Sequence, residues 1–392
     1  MGSFMLKQII AFIFVLLIGS EKVSANLRGS SIVDGLYSTV LSEQRDLLIH
    51  LPNNYNQNKM LEYPVLYLLD GQRNFAHTIG TLDLLNQSNM AQEMIIVAIM
   101  NTHRTRDFTP TYDKSYNEWG LSGGADNFLD FIDKELIPFI NKNYRANNFK
   151  VISGHSLGGL LSIYALHSNP ELFQAHFAFS PSLWWHKQVI FEKAEIFLKN
   201  SDQLNKYLYV NMGNEGGNML HSFEKYTELL NIHNRKGFKF NFDLDTSESH
   251  NTTALAGQSL AYQNLYATLR PTQEVIAKGI PAVKEFFKRQ SEIYGYEIKP
   301  SYSAINRIAY NALKEKDFAT AIAIFEENVD NFPHKADAYD SLADGYEANG
   351  ELDKALKMRN LVIKKSIIEN VENNAYKTRK INLLKLIKAN KP

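Results

Sequence analysis

The segment Gly154-His155-Ser156-Leu157-Gly158-Gly159 constrains this 392-residue chain more than any other. It has the form G-x-S-x-G, follows a short apolar run from Lys150 to Ser153, and precedes a helical pattern from Leu160 onward. A strand that turns sharply into a helix lifts one hydroxyl, that of Ser156, clear of a sheet. Small residues on either side let the two backbones pass closely. The start of the helix also brings free N–H groups and the positive end of its dipole to the same spot, which suits a developing oxyanion. Leu157 N–H is one expected donor. The second is expected from the turn after the strand ending at Leu69, at Gly71 or Gln72.

Such an elbow needs a sheet, and the flanking sequence supplies one. Asp46 to Leu51, Pro64 to Leu69, Met94 to Met100, Ala175 to Phe179, Tyr207 to Val210 and Phe238 to Leu244 read as strands. Several are continuous apolar runs, the pattern of strands buried on both faces. Helical patterns lie between them at Asn127 to Asn143, Leu160 to His167 and His221 to Asn234. The alternation predicts an α/β fold, with a mostly parallel sheet covered by helices on both faces. Ligands of such sheets sit beyond the carboxyl ends of the strands.

A serine hydroxyl needs a base to become a nucleophile, and in this arrangement the chain order is serine, acid, histidine. Of the 11 histidines, seven follow Ser156: His167, His176, His186, His221, His233, His250 and His334. His167 and His233 fall within predicted helices, His221 opens one, His176 starts a strand at the wrong end of the sheet, and His334 lies in the tail. His250 follows the last strand by a short polar loop, where it can reach the elbow, and is the expected base. The expected acid is Glu215, the only carboxylate in the loop after the strand Tyr207 to Val210. Asp245, Glu248 or a dyad without an acid remain alternatives.

The ends of the chain read differently. A cationic start at Lys7, the apolar run Ile9 to Ile18 and the small-residue exit Val23-Ser24-Ala25 have the form of a secretory signal peptide. The expected mature protein begins at Asn26, is secreted or periplasmic, and has no membrane span after cleavage. After Pro271 the strand signals stop. Asp317 to Ile322 aligns with Glu351 to Leu356 at an offset of 34 residues, the tetratricopeptide period. The expected organisation is therefore a signal peptide (1–25), an α/β body (26–275), a helical connector (276–300) and a tetratricopeptide-like tail (301–392). Two repeats are fewer than a free-standing solenoid needs, so the tail is expected to dock on the body.

Composition removes several classes. With no cysteine, disulfides, thiolate metal sites and a cysteine nucleophile are excluded. Lysine plus arginine and aspartate plus glutamate number 42 each, so a general nucleic-acid footprint is absent. No metal-ligand spacing and no dinucleotide or phosphate loop is evident, and no cofactor is expected.

The segment Tyr63 to Gly71 (YPVLYLLDG) resembles the opening of the Putative esterase branch of α/β-hydrolases, the esterase D or enterobactin-esterase-like branch. Asn101 to Pro110, Gly154 to Gly159, Ser180 to Trp185 and Glu248 to Thr253 are similar to segments of that branch, in the same order, over roughly residues 35 to 270. The resemblance implies an α/β-hydrolase fold and a serine carboxylic-ester hydrolase, with Ser156 as nucleophile, His250 as base and Glu215 as acid. Siderophore triesters and aryl or acetyl esters are the substrates it brings to mind. Arg104 and Arg106 are candidates for an anionic substrate group, Arg106 with Asp107 as an internal ion pair in the other reading. Of Trp184 and Trp185, one is expected to face the ligand and one to be core. His155, beside the nucleophile, is a further candidate for contact with substrate. An acyltransferase would use the same triad. A hydrolase-fold binding protein that recruits a partner through its tail is the reading from another class.

Overall fold

The computed structural model describes residues 29–389, apart from 54, 57, 58, 60, 89 and 370. The expected signal peptide lies outside the described residues. Eight strands form one sheet: β1 (Ser30–Ser38), β2 (Glu43–Leu51), β3 (Tyr63–Leu68), β4 (Ile95–Ile99), β5 (Ala146–His155), β6 (Ala175–Phe179), β7 (Tyr207–Met212) and β8 (Lys239–Leu244). Their order is β1-β2-β4-β3-β5-β6-β7-β8. The pairs β1–β2 and β2–β4 are antiparallel, and all others are parallel. This is the α/β-hydrolase arrangement.

The strands read from continuous apolar runs are the inner ones. Every residue of β3, β4, β6 and β7 is buried, because helices cover both faces. Alternate side chains feed two cores. Tyr67 and Val97 point into one, with Ile152, Leu160 and Trp185; Leu66, Leu68, Ile96 and Ala98 point into the other. The edge strands differ. β1 is largely exposed, with Val33 80% accessible, and its Gly35 and serines hide it from a periodicity reading.

The principal helices are α1 (Gly71–Gln87), α2 (Leu157–Ser168), α3 (Gly217–Ile232), α4 (Thr253–Tyr266) and α5 (Ile280–Tyr294), then α6 (Tyr302–Lys314), α7 (Phe318–Asn331), α8 (Ala336–Ala348), α9 (Leu352–Ile368) and α10 (Asn374–Ala389). Helix α2 is buried almost throughout, the expected state of a helix laid against the centre of the sheet. Among the described residues no helix is long and apolar enough to cross a membrane.

The tail is built from paired helices. α6 and α8 start 34 residues apart, and so do α7 and α9. Asp317 caps α7 by accepting from Thr320 N. Gly345 of α8 lets the Phe325 ring approach to where a Cβ would touch it at 3.0 Å. Arg359 is buried and paired with Asp340, Asp344 and Glu347. The tail joins the body through one continuous apolar cluster. It runs from Val151 and Phe177 of the sheet through Tyr262, Val283 and Phe287 to Ile305, Phe325 and Leu383. Tyr294 anchors the connector: its hydroxyl donates to the Leu265 carbonyl at 2.7 Å and its ring lies 5.1 Å from that of Phe149. The expected boundary after residue 275 falls inside the short helix Gln273–Ala277, and the one at 300 falls in the turn before α6.

Candidate functional site

β5 ends at His155, α2 begins at Leu157, and Ser156 makes the turn between them with φ 60° and ψ −117°. A side chain is rarely found in that region of backbone space, and it persists here because neighbours over-determine it. Ser156 N donates to the Phe179 carbonyl at 2.9 Å. The Ser156 carbonyl accepts from Leu160 N at 2.9 Å and Ser182 N at 3.0 Å. Ser156 Oγ lies 3.2 Å from Ser182 Oγ.

The loop after β7 carries Glu215 and the loop after β8 carries His250. His250 Nδ1–H donates to Glu215 Oε2 at 2.6 Å. The carboxylate can only accept, so the Nδ1 proton is fixed, and in the neutral imidazole the lone pair is then on Nε2. Glu215 also accepts from Ser180 Oγ and from Gly213 N. Burial pushes its carboxyl up, but the hydrogen bonds from His250 and Ser180 and the charge of His250 outweigh that and hold it below the ordinary carboxylate value. Asp245 is spent on Ser247, and of the carboxylates considered Glu215 is the one bonded to the histidine.

A cavity of about 600 Å³ opens over these groups. Ser156, Leu157, Glu215 and His250 all line it. Arg104, Trp119, Trp184 and Met219 form much of the rest. Leu157 N–H opens α2 and is one of the amides that a helix start leaves without an internal partner. Gly71 and Gln72 open α1 in the adjoining turn but are not on the cavity wall, and Gln72 Oε1 is taken by Asn101 N. Arg104, bonded to Asp70 just before that turn, does line the cavity. Its guanidinium pairs with both Asp70 oxygens, at 2.6 and 2.9 Å, and with the His155 carbonyl at 3.1 Å.

The other candidates divide as their surroundings dictate. Trp184 faces the cavity, whereas Trp185 is fully buried, its indole N–H directed at the Thr111 carbonyl. Arg106 turns away from the cavity to Glu43 and Asp107, so it does not offer a substrate contact. His155 is also turned from the substrate side. Its Nε2–H donates to the His250 carbonyl at 2.5 Å, and burial, then His250, pushes its pKa down to about 4. It braces the loop that carries His250. Sequence reasoning missed the aromatic strip Lys114–Trp119. Tyr116 packs 5.5 Å from Trp184 and 4.9 Å from Trp185, and Trp119 stays half-exposed at the cavity mouth. The spacing of Tyr112, Tyr116 and Trp119 was the available signal.

Residues 38–268 match the family described as Putative esterase. Ferri-bacillibactin esterase BesA of Bacillus subtilis is 32% identical over a stretch covering 36% of this chain and 57% of that protein. The chain spans about half the length of the curated siderophore-esterase relatives it matches. An IroE-like serine hydrolase from Shewanella oneidensis superposes with a TM-score of 0.66 at 29% identity, over 73% of this chain and 95% of that one. An uncharacterised protein from Capnocytophaga ochracea, 15% identical, shares the fold over 91% of this chain and 99% of its own, with a TM-score of 0.59. That superposition takes in most of the helical tail as well as the sheet.

Proposed function

The chain belongs to the Putative esterase family, and on that premise we propose that it hydrolyses carboxylic esters through Ser156, His250 and Glu215 by way of an acyl-enzyme. His250 Nε2 takes the Ser156 proton as Oγ attacks the ester carbonyl. The tetrahedral oxyanion settles against the free N–H groups at the start of α2, led by Leu157. His250 then gives its proton to the leaving alcohol, and water clears the acyl group by the same route in reverse order. Glu215 keeps the imidazole in the productive tautomer and balances the charge it gains.

The observation that carries this reading is the 2.6 Å bond from His250 to Glu215 on the same cavity as a serine held at an unfavourable backbone angle. The aromatic wall of Trp184, Trp119 and Tyr116 suits an aryl acyl group. Together with relatives named as siderophore esterases, it favours an aryl or siderophore-type ester as the substrate. The leader-like N-terminus favours action outside the cytoplasm.

The test is hydrolysis of short-chain and aryl p-nitrophenyl esters by residues 26–392, beside Ser156→Ala. Turnover by the parent and a loss of about 10⁴-fold or more in the variant is expected. Equal inactivity of both, with no labelling of Ser156 by a fluorophosphonate, sinks the proposal.

A further inference from the structure

We propose that Ser180 is a positioning residue for this triad: its hydroxyl sets the Glu215 carboxylate for His250, and Thr253 ties the same hydroxyl to the loop that carries His250. The proposal rests on the Ser156–His250–Glu215 reading above.

Ser180 stands one residue beyond β6, fully buried, with φ 40°. A buried serine in that backbone region is held there by its surroundings. Its N–H donates to Asn211 O at 3.0 Å and to Asn211 Oδ1 at 3.3 Å. Asn211 in turn donates from Nδ2 to the Thr253 carbonyl at 2.9 Å. Its amide fits only because residue 257 is glycine: a Cβ there would lie 2.1 Å from Asn211 Nδ2. The ends of β6 and β7 and the start of α4 are thereby locked together behind the triad.

The hydroxyl protons then have few places to go. A carboxylate accepts only, so the Ser180 proton goes to Glu215 Oε1. Thr253 Oγ1 lies 2.9 Å from Ser180 Oγ and 3.2 Å from the His250 carbonyl, and its single proton serves between them. The terminal torsion of a glutamate is broad, so a carboxylate on a loop needs fixing. Oε1 is claimed by Ser180, with Gly213 N a longer 3.3 Å contact, and Oε2 is left to His250. Without the Ser180 hydroxyl, only that long contact holds Oε1, and the carboxylate can turn away from the imidazole. Outer partners that orient metal ligands typically cost 10- to 100-fold in activity when removed, and a hydroxyl that orients a triad carboxylate is expected to act on the same scale.

Ser180→Gly tests the idea, because glycine adopts φ 40° freely and lacks the hydroxyl. The variants are made in residues 26–392 and assayed with p-nitrophenyl acetate beside Glu215→Ala. A 10- to 100-fold fall in kcat is expected, with KM within about twofold. The downfield proton resonance of His250 Nδ1–H should shift upfield or broaden, which a merely structural role would not require. A folded Ser180→Gly with parental kcat and an unmoved resonance overturns the proposal. If Glu215→Ala is inactive while Ser180→Gly is fully active, only this proposal falls. If Glu215→Ala keeps parental activity, the triad reading falls and takes this one with it. Should Ser180→Gly not fold, Thr253→Val carries the test: it leaves Ser180 in place and cuts its tie to the His250 loop. A severalfold loss of kcat with a moved resonance supports the proposal, and no change in either overturns it.

Discussion

Gly154 and Gly158 meet backbone to backbone across the elbow: a Cβ on Gly154 would lie 2.3 Å from the carbonyl oxygen of Gly158. The neighbour is main chain, so it has no rotamer to yield. Gly154→Ala should push α2 off the end of β5, cost about 3 kcal/mol or more, and lower kcat beyond what the stability loss explains. Gly80 is the contrast. It lies inside α1 with nothing within 4 Å of an added Cβ, and Gly80→Ala should stabilise by about 0.5–1 kcal/mol. Urea midpoints of the two variants, read with kcat, check both.

Arg104 and Asp70 form a two-bonded pair, and the same guanidinium reaches the His155 carbonyl. Lysine cannot reproduce that fork. Arg104→Lys should cost about 2 kcal/mol, because the ammonium keeps the charge but cannot serve both oxygens of the buried Asp70 carboxylate and the His155 carbonyl together. A urea titration that places Arg104→Lys within about 0.5 kcal/mol of the parent would remove this role for the pair.

The helices from 273 to 294 are sandwiched between body and tail. Deleting residues 301–392 strips Ile305 and Ile308 from the apolar cluster that holds Ile276 and Val283. Each such side chain contributes about 1.5–3 kcal/mol when buried. The shortened protein should aggregate or elute as a larger species on size exclusion. A monomeric, fully active truncation would make the tail dispensable to the body.

Buried histidines tie stability to pH, and His155, His167 and His176 are shifted furthest. Burial pushes His167 and His176 down to about 3, and burial with His250 pushes His155 down to about 4. The unfolded chain takes up these protons near the ordinary histidine value of about 6.5, while the native protein stays neutral until far lower. Their contribution is therefore complete above about pH 6.5 and is lost as pH falls toward 4 and then 3. Tm should drop steadily over that range. His176→Phe should flatten the slope, and an unchanged slope would show that His176 does not drive it.

Legibility of the fold followed burial. β3, β4, β6 and β7 are buried on both faces and announce themselves as apolar runs, whereas β1 is exposed and polar and the first residues of β5, Ala146-Asn147-Asn148, carry no strand pattern. Helix α1, with Gly71, Gly80 and two threonines, is made by packing against the sheet rather than by propensity. In the site, the elbow and the polar loops holding Glu215 and His250 stood out by position along the chain. The Ser180–Asn211–Thr253 network did not, because its members are far apart in sequence and look ordinary one by one. Arg106 and Trp185 sit beside cavity residues in sequence, but one step along a helix turns a side chain to another face.

The Tyr294–Phe149 contact fixes a polarity in the molecule. Phe149 lies near the amino end of β5, and Tyr296 reaches Gln92 just before β4, so the connector grips the sheet at the end remote from Ser156. The candidate site occupies one pole and scaffolding the other. Whole 34-residue units could be added beyond α9 and change the reach of the protein while the distances around Ser156 stayed as they are.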